Sequence, residues 1–365
     1  MVYSIKSLTG LLLLIAVQFT FAQTNKEKAA LEAKQALFFE DQGKSAQAIP
    51  LLEEAQRLDS GIITYSYELA VIYYNNKDYT KAKNILEPLV DRKDDFGLVY
   101  QLLGNVYDDL GNADLAIATY EKGLKQFPNT AEIYLELGIT QLKKKEYNKA
   151  LEYFEKGIEV NPMYPSNYYR AAKVFCSSSE AVWGMIYGEI FLNLERNTER
   201  TSEISKLLYN TYRKDIRLSQ DSGFSVKFST TVSLFPDKNK LPFAKGFYEP
   251  TIMLSLLNEK AIDINSLSRM RKKFVDLYIQ TGNYQKYPNA LFDYQYKVLK
   301  AGHIESYNRW VLAEGDKGAI DEWMKTNKVN WDKFIKWFEK NQIQLDDKYK
   351  FYRGQYQRAP TPVQN

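Results

Sequence analysis

Four alanines recur at a constant interval in the first half of the chain. They lie 34 residues apart, and a large apolar residue stands four positions after each of them. The alanines are Ala48, Ala82, Ala116 and Ala150, and the apolar residues are Leu52, Leu86, Tyr120 and Phe154. A fixed period of this length indicates a repeat protein, in which each repeat is one supersecondary unit that buries its apolar face against its neighbours.

Each period contains two stretches with apolar residues at helical spacing, which predicts a pair of amphipathic helices. In the first helix of two periods, a leucine is followed by Gly104 or Gly138. A residue this small allows the second helix of the pair to approach closely. Pro128 and Pro162 end these two periods, because proline cannot continue a helix.

Two segments carry the fullest copies of this pattern. They are YQLLGNVYDDLGNADLAIATYEKGLKQFP at residues 100–128 and YLELGITQLKKKEYNKALEYFEKGIEVNP at residues 134–162. Both resemble the tetratricopeptide repeat, which runs W-x2-L-G-x2-Y, then A-x3-F, then P. Gln141 departs from the pattern at the Tyr position, and Gln35-Ala36 replaces Leu-Gly in the first copy.

The resemblance implies a mainly α fold. We expect an α-solenoid of tetratricopeptide helical hairpins, followed by a mostly helical C-terminal domain with one short β segment. The predicted array covers residues 23–198, with units at about 29–62, 63–96, 97–130 and 131–164 and a degenerate unit at 165–198. The degenerate unit keeps small residues only at Ala171, Ala172 and Gly184.

The resemblance also implies a concave groove lined by the first helix of each hairpin, which suits an extended or helical peptide. The predicted groove residues are Tyr67, Val71, Tyr74, Asn75, Gln101, Asn105, Asp108, Asp109, Leu135, Ile139, Leu142 and Lys143. A solvated face with no ligand is the alternative. Some relatives bind the carboxylate end of chaperone tails, but the cations needed for that are missing here. Asn105 stands in a suitable column, whereas Tyr67, Gln101, Leu135 and Glu136 occupy the neighbouring ones.

The N-terminus has the features of an export signal. Lys6 precedes an apolar stretch at residues 8–17, and the small Ala22 stands before Gln23. This pattern predicts a signal peptide at residues 1–22, cleaved after Ala22. An uncleaved anchor is the alternative, although the stretch is shorter than the roughly 20 residues that a span needs. We therefore expect an exported bacterial protein (periplasmic, cell-surface or secreted) without an integral membrane span after cleavage.

The second half of the chain has a different charge balance. Residues 23–198 carry 20 Lys and Arg against 26 Asp and Glu, a net charge of −6, whereas residues 199–365 carry 28 against 19, a net charge of +9. The asymmetry is consistent with docking between halves or with a polyanionic partner, the alternative being an ordinary solvated surface. The basic residues are scattered and form no known binding motif, so we expect no nucleic acid.

Local patterns divide this second half. Strict alternation at residues 224–234 predicts a strand or hairpin segment, or else a loop packed on helices by its Phe residues. Helical patterns then predict helices at 266–281, 289–301, 303–314, 318–326 and 331–340. Residues 199–352 are predicted to be a basic, mostly helical C-terminal domain. Within it, residues 303–326 have the size of a helical hairpin with Trp310 and Trp323 facing inward, and we expect this hairpin to be part of a helical cap for the array, the alternative being a divergent repeat. The tail at 353–365 is predicted to be disordered.

The residues that could support catalysis are few. Cys176 is the only cysteine and His303 the only histidine, and no spacing matches a metal site or a phosphate-binding loop. We expect no cofactor and a buried Cys176. We expect the protein to be a scaffold that binds a protein or peptide, within a cell-envelope assembly. The alternative is a glycan-binding module or hydrolase in residues 199–352, using carboxylate pairs together with Trp310, Trp323, Trp331 and Trp337.

Overall fold

A computed structural model describes residues 24–92, 94–219, 223–230 and 242–356. The predicted signal peptide at 1–22 lies outside these residues. The chain divides into two compact units, one ending at Pro128 and one beginning at Asn129. This division falls inside the predicted array at residues 23–198. The boundaries of that array remain a prediction.

Three helical hairpins make up the described part of the N-terminal unit. Their helices are α1 (Asn25–Asp41), α2 (Ser45–Leu58), α3 (Ile63–Asn75), α4 (Tyr79–Leu86), α5 (Gly97–Asp109) and α6 (Ala113–Gln126). A short 3-10 turn, Glu87–Leu89, extends α4. Alanines and leucines in the repeat columns are buried, among them Ala48, Leu52 and Ala82, each at 0% exposure. The mainly α fold predicted from the 34-residue period is therefore confirmed.

The turn within each hairpin is also repeated. Gly43, Lys77, Gly111 and Lys145, again 34 residues apart, have φ angles of 70°, 62°, 81° and 62°. One residue later, a backbone N–H donates to a carbonyl five positions back, as from Asn112 to Tyr107 at 2.8 Å. This hydrogen bond satisfies a carbonyl at the helix end and ends the first helix at the same place each time.

The C-terminal unit begins with two more hairpins and continues into the second half of the chain. Its helices are α7 (Ala131–Lys143), α8 (Tyr147–Val160), α9 (Pro165–Cys176), α10 (Ala181–Leu194), α11 (Glu199–Asp215), α12 (Glu249–Ser255), α13 (Ile264–Gln280), α14 (Asn283–Lys286), α15 (Ala290–Lys300), α16 (Ile304–Leu312) and α17 (Lys317–Lys340). Shorter helical turns are Ala244–Tyr248, Ala313–Gly315 and Arg353–Tyr356. One hydrophobic core joins the hairpins to the later helices.

The β segment is a small antiparallel hairpin. Strand β1 (Ile216–Ser219) pairs with β2 (Gly223–Val226), with Ile216 opposite Val226. The predicted alternating run is therefore a hairpin strand, but it ends at Val226 within the described residues. After the end of β2, the Oε1 atom of Glu249 accepts hydrogen bonds from the backbone N–H groups of Phe228 and Ser229, both at 2.8 Å.

One prediction about the C-terminal helices is wrong, and the predicted disordered tail at 353–365 is ordered in its first four residues. Residues 317–340 form one helix, not two, and the Lys328 and Asp332 side chains are paired across the predicted break. The start of the predicted disordered tail is ordered. Arg353 Nη2 lies 2.7 Å from Glu155 Oε2, and its backbone N–H donates to Tyr187 Oη at 2.8 Å. Residues 357–365 lie outside the described part.

A polar cluster lies inside the core of the C-terminal unit. The carboxylate of Glu189, on α10, pairs in two-pronged fashion with the guanidinium of Arg271 on α13, at 2.7 and 2.8 Å. Gln295 Nε2 and Tyr307 Oη also donate to Glu189 Oε1, at 2.6 and 2.9 Å. Glu189 and Arg271 are 3% and 5% exposed, so this cluster links four helices through hydrogen bonds to a buried carboxylate.

Cys176 is buried, as predicted, and we expect it to be unreactive in the folded protein. Burial raises the pKa of its thiol to about 12, so roughly one thiol in ten thousand is ionised at pH 8. A thiol-disulfide reagent at pH 8 should leave the native chain unlabelled while it labels the urea-unfolded chain completely. Rapid stoichiometric labelling of the native chain would contradict this burial.

Candidate functional site

The twelve predicted groove residues all lie on first helices of hairpins, but in two separate compact units. Helices α3 and α5 carry eight of them in the N-terminal unit, and α7 carries the other four in the C-terminal unit. We call these two surfaces the N-terminal and C-terminal first-helix faces.

Aromatic side chains dominate one part of the N-terminal first-helix face. The rings of Tyr67 and Phe96 meet edge to face with centroids 5.0 Å apart. Tyr74 packs against Tyr79 at 5.6 Å and donates from its hydroxyl to Asp109 Oδ2 at 2.7 Å. Tyr67 and Tyr74 are only partly buried, so their rings are held in fixed positions while part of each remains open to a partner.

Asn105 has a structural task that the sequence pattern does not reveal. Its side-chain carbonyl accepts a hydrogen bond from the hydroxyl of Tyr120, which is 2% exposed. A buried tyrosine hydroxyl without a partner would be costly, so Asn105 stabilises the repeat. Asp108, Asp109 and Asn75 lie further along the same face, and the two carboxylates give it acidic character.

The C-terminal first-helix face is more buried than an open groove would be. Leu135 is 8% exposed and belongs to the core, so its predicted position at an open groove is wrong. Ile139 and Leu142 are partly buried and pack against that same core. Only Lys143 is exposed among the four predicted residues on α7.

Sequence reasoning missed Phe96 and Tyr79 as parts of the N-terminal face. Phe96 precedes α5 and Tyr79 begins α4, so neither occupies the first-helix columns that the repeat period identifies. Their aromatic character is the one signal that could have marked them.

Three of the tryptophans named for the glycan-binding alternative pack against other rings. Trp310 meets Phe338 at 4.7 Å, and Trp331 meets Phe334 at 5.7 Å. Trp337 packs against the imidazole of His303 at 5.3 Å. Partial burial, with a nearby lysine, lowers the pKa of His303.

The buried Glu189–Arg271 pair does not form a substrate site. The cavity beside it has a volume of about 20 Å³, which suffices for about one water molecule. Within the described ranges, no three His, Cys, Asp or Glu side chains are grouped to hold a metal ion. Nor does any helix in those ranges combine the length and apolar character required to cross a bilayer.

Three overlapping stretches of the repeat region match models of known protein families. Residues 40–106 and 131–164 match models of the tetratricopeptide repeat, and residues 104–145 match a model described as TPR repeat. The matches overlap and run from residue 40 to residue 164, through four of the five predicted units.

Individual relatives share only part of their length with this chain. The chain is 30% identical over 122 residues to BBSome complex member BBS4 of Bos taurus, covering 33% of this chain and 23% of that protein. It is 28% identical over 102 residues to anaphase-promoting complex subunit CDC16 of Saccharomyces cerevisiae, covering 26% of this chain and 12% of that protein. The chain thus spans less than a quarter of either curated relative.

A solved structure of PilF from Pseudomonas aeruginosa is also similar. It covers 52% of this chain and 85% of its own, with 18% identity and a TM-score of 0.45. The repeat columns, the recurring turn and the matched family models lead to one identification. The chain contains tetratricopeptide repeats, which the family models match between residues 40 and 164.

Proposed function

We propose that this protein is an exported scaffold that binds a protein or peptide segment on its first-helix faces, as part of a cell-envelope assembly. The observation that carries the proposal is the N-terminal face, where Tyr67 and Tyr74 are fixed by neighbours yet partly open. Rigid aromatic rings supply large contact area at low entropic cost, which is why they are common anchors at protein interfaces.

The chemistry of this face selects a kind of partner. Gln101 contributes an amide to this face and Val71 an apolar side chain, and both are only partly buried. Asp108 and Asp109 favour a partner segment with a Lys or Arg beside its apolar anchors. Export is supported by the charge, the apolar stretch and the small residue at the cleavage position in residues 1–22.

Removing both anchor rings should abolish partner recovery. In a pulldown from the envelope fraction of the producing cells, Tyr67→Ala with Tyr74→Ala should reduce the recovered partner by at least tenfold, because truncating a central aromatic typically costs about 2 kcal/mol or more. Quantitative mass spectrometry measures the recovery.

The matched control removes two tyrosines elsewhere. Tyr147 and Tyr284 are 56% and 41% exposed and lie outside both first-helix faces, so Tyr147→Ala with Tyr284→Ala should leave recovery unchanged. Equal recovery with the Tyr67 and Tyr74 variant, folded by circular dichroism, would reject the face as the binding site. A first residue other than Gln23 in the purified chain would reject the cleavage site.

A further inference from the structure

In the C-terminal unit, first helices at the repeat interval continue beyond the predicted groove residues. Tyr169 and Lys173 on α9 follow Leu135 and Ile139 by 34 residues. Glu203, on α11, follows Tyr169 by the same interval. Helix α11 is outside the predicted array, and the β hairpin follows it in place of a second helix.

Side-chain contacts join α9 and α11, two of them between residues that are 34 positions apart. Lys173 Nζ lies 2.6 Å from Glu203 Oε1, and the hydroxyl of Tyr169 donates to the same carboxylate. Arg200 donates to Ser166 Oγ at 3.1 Å, again across 34 residues. These contacts place α11 beside α9, in the position of the first helix of one further repeat. The C-terminal first-helix face, introduced on α7, therefore extends over α9 and α11.

An open pocket lies between these two helices. Its volume is about 250 Å³, and it is lined by Lys173, Ser177, Glu203, Lys206, Leu207 and Asn210. Leu207 provides an apolar wall, while Ser177 and Asn210 offer hydrogen-bonding groups. Lys173 and Lys206 contribute two positive charges to the lining, against the one negative charge of Glu203, which already pairs with Lys173. Lys206 forms no ion pair with any residue that the structure describes.

We infer that this pocket binds an acidic side chain, Asp or Glu, of a peptide lying on the C-terminal first-helix face. A carboxylate entering the pocket would pair with Lys206 and receive a hydrogen bond from Ser177 or Asn210, and its methylene groups would contact Leu207. The excess positive charge opposes a basic side chain there. This inference rests on the proposed function, because the pocket extends the same kind of partner-binding face.

Three synthetic peptides of equal length test the inference with the full mature chain. Fluorescein-labelled 12-residue peptides alternate Ala with Glu, Gln or Lys, and fluorescence anisotropy at 150 mM NaCl measures their Kd, since salt at that level screens long-range attraction. The Glu peptide should bind most tightly. Lys206→Glu should weaken it on the order of tenfold, because a close attractive charge becomes repulsive. Asn210→Trp should weaken it similarly by filling the pocket.

Lys272→Glu is the matched control. Lys272 is exposed on α13, which contributes no residue to the pocket, so this variant makes the same charge change and should alter Kd less than twofold. The inference fails if the Glu peptide binds no better than the Gln or Lys peptide. It also fails if Lys272→Glu weakens binding as much as Lys206→Glu does. Either failure leaves partner recovery through Tyr67 and Tyr74 untouched, so the two proposals can be judged separately.

Discussion

Replacing Arg271 by Met should lower the free energy of unfolding of the C-terminal unit by about 3–5 kcal/mol, the usual cost of breaking a buried ion pair. Arg271 is 5% exposed and donates to Glu189, Asn308 and Tyr212. Without the guanidinium, the Glu189 carboxylate remains buried, and among the described residues Gln295 and Tyr307 are the side-chain donors left to it. An uncompensated buried carboxylate is costly because the low-dielectric interior does not replace its hydration.

Urea denaturation followed by tryptophan fluorescence measures this effect. All five tryptophans lie after Asn129, so the signal reports on the C-terminal unit: Trp183, Trp310, Trp323, Trp331 and Trp337. Arg269→Met is the matched control, because Arg269 lies on the same helix with a side chain that is 61% exposed, paired with Glu259. It should cost less than about 1 kcal/mol, as exposed pairs do.

A double variant separates lost charge compensation from lost packing. Arg271→Met together with Glu189→Gln removes both charges and should recover part of the stability that Arg271→Met alone loses. If Arg271→Met costs no more than Arg269→Met, the buried pair does not hold the four helices together.

The repeat units could be predicted from sequence because their information is periodic. Ala48 and Ala82 occupy the same environment, so each copy supports the prediction made from the other. The left-handed turns at Lys77 and Lys145 follow the same period, although lysine itself gives no local signal for that conformation. Periodicity thus carries information that single residue types lack.

The C-terminal helices lack such redundancy. The contact between Glu189 and Arg271 joins residues that are 82 positions apart and is not repeated, so no periodic spacing in the sequence predicts it. The same holds for the segment after Lys340, where Phe351 is 0% exposed and Arg353 pairs with Glu155. The Pro and Gln content of residues 353–365 is typical of a disordered tail. The order of Arg353–Tyr356 comes from partners far away in the sequence, which composition does not reveal.

The candidate site was only partly predictable for a related reason. The period identifies which helix face is equivalent in each unit, and it correctly places Tyr67 and Tyr74 on first helices. It does not report how far that face is covered by neighbouring elements. Leu135 shares its column with Gln101 and Tyr67 but is buried, because the core of the C-terminal unit extends over it.

The second large effect concerns the glycine at which the two helices of a hairpin touch. Gly138→Ala should destabilise the C-terminal unit by about 1–3 kcal/mol, the usual cost of overpacking a core. A Cβ at this position would lie 2.3 Å from Cε1 of Phe154, so the ring or the helix must shift. Alanine is the better helix former by about 1 kcal/mol, so the predicted sign opposes helix propensity. Urea denaturation with tryptophan fluorescence again measures the change.

Gly318→Ala is the control for helix propensity. Gly318 lies near the start of α17, and a Cβ there would meet only Asp316 Oδ1, at 3.8 Å. This variant should be neutral or slightly stabilising. If Gly138→Ala behaves in the same way, the close helix contact is not tight in solution.

The repeats show how the size of one residue at this contact matches the size of the residue that it faces. Where the second helix presents an aromatic ring, the first helix has glycine: Gly104 faces Tyr120, and Gly138 faces Phe154. At the equivalent positions in the first two units the pairs are Ala36 with Leu52 and Ala70 with Leu86, all buried. Leucine is shorter than phenylalanine, so it leaves room for a methyl group on the facing helix.

A double-mutant cycle tests this size matching directly. Phe154→Leu alone should destabilise by leaving space beside Gly138, whereas Phe154→Leu with Gly138→Ala recreates the pair found in the first two units. The combined loss should be smaller than the sum of the single losses by about 0.5 kcal/mol or more, the range measured for residues in contact. Additive losses would show that each hairpin adjusts its helix separation independently of this pair, and that the glycine column reflects something other than contact size.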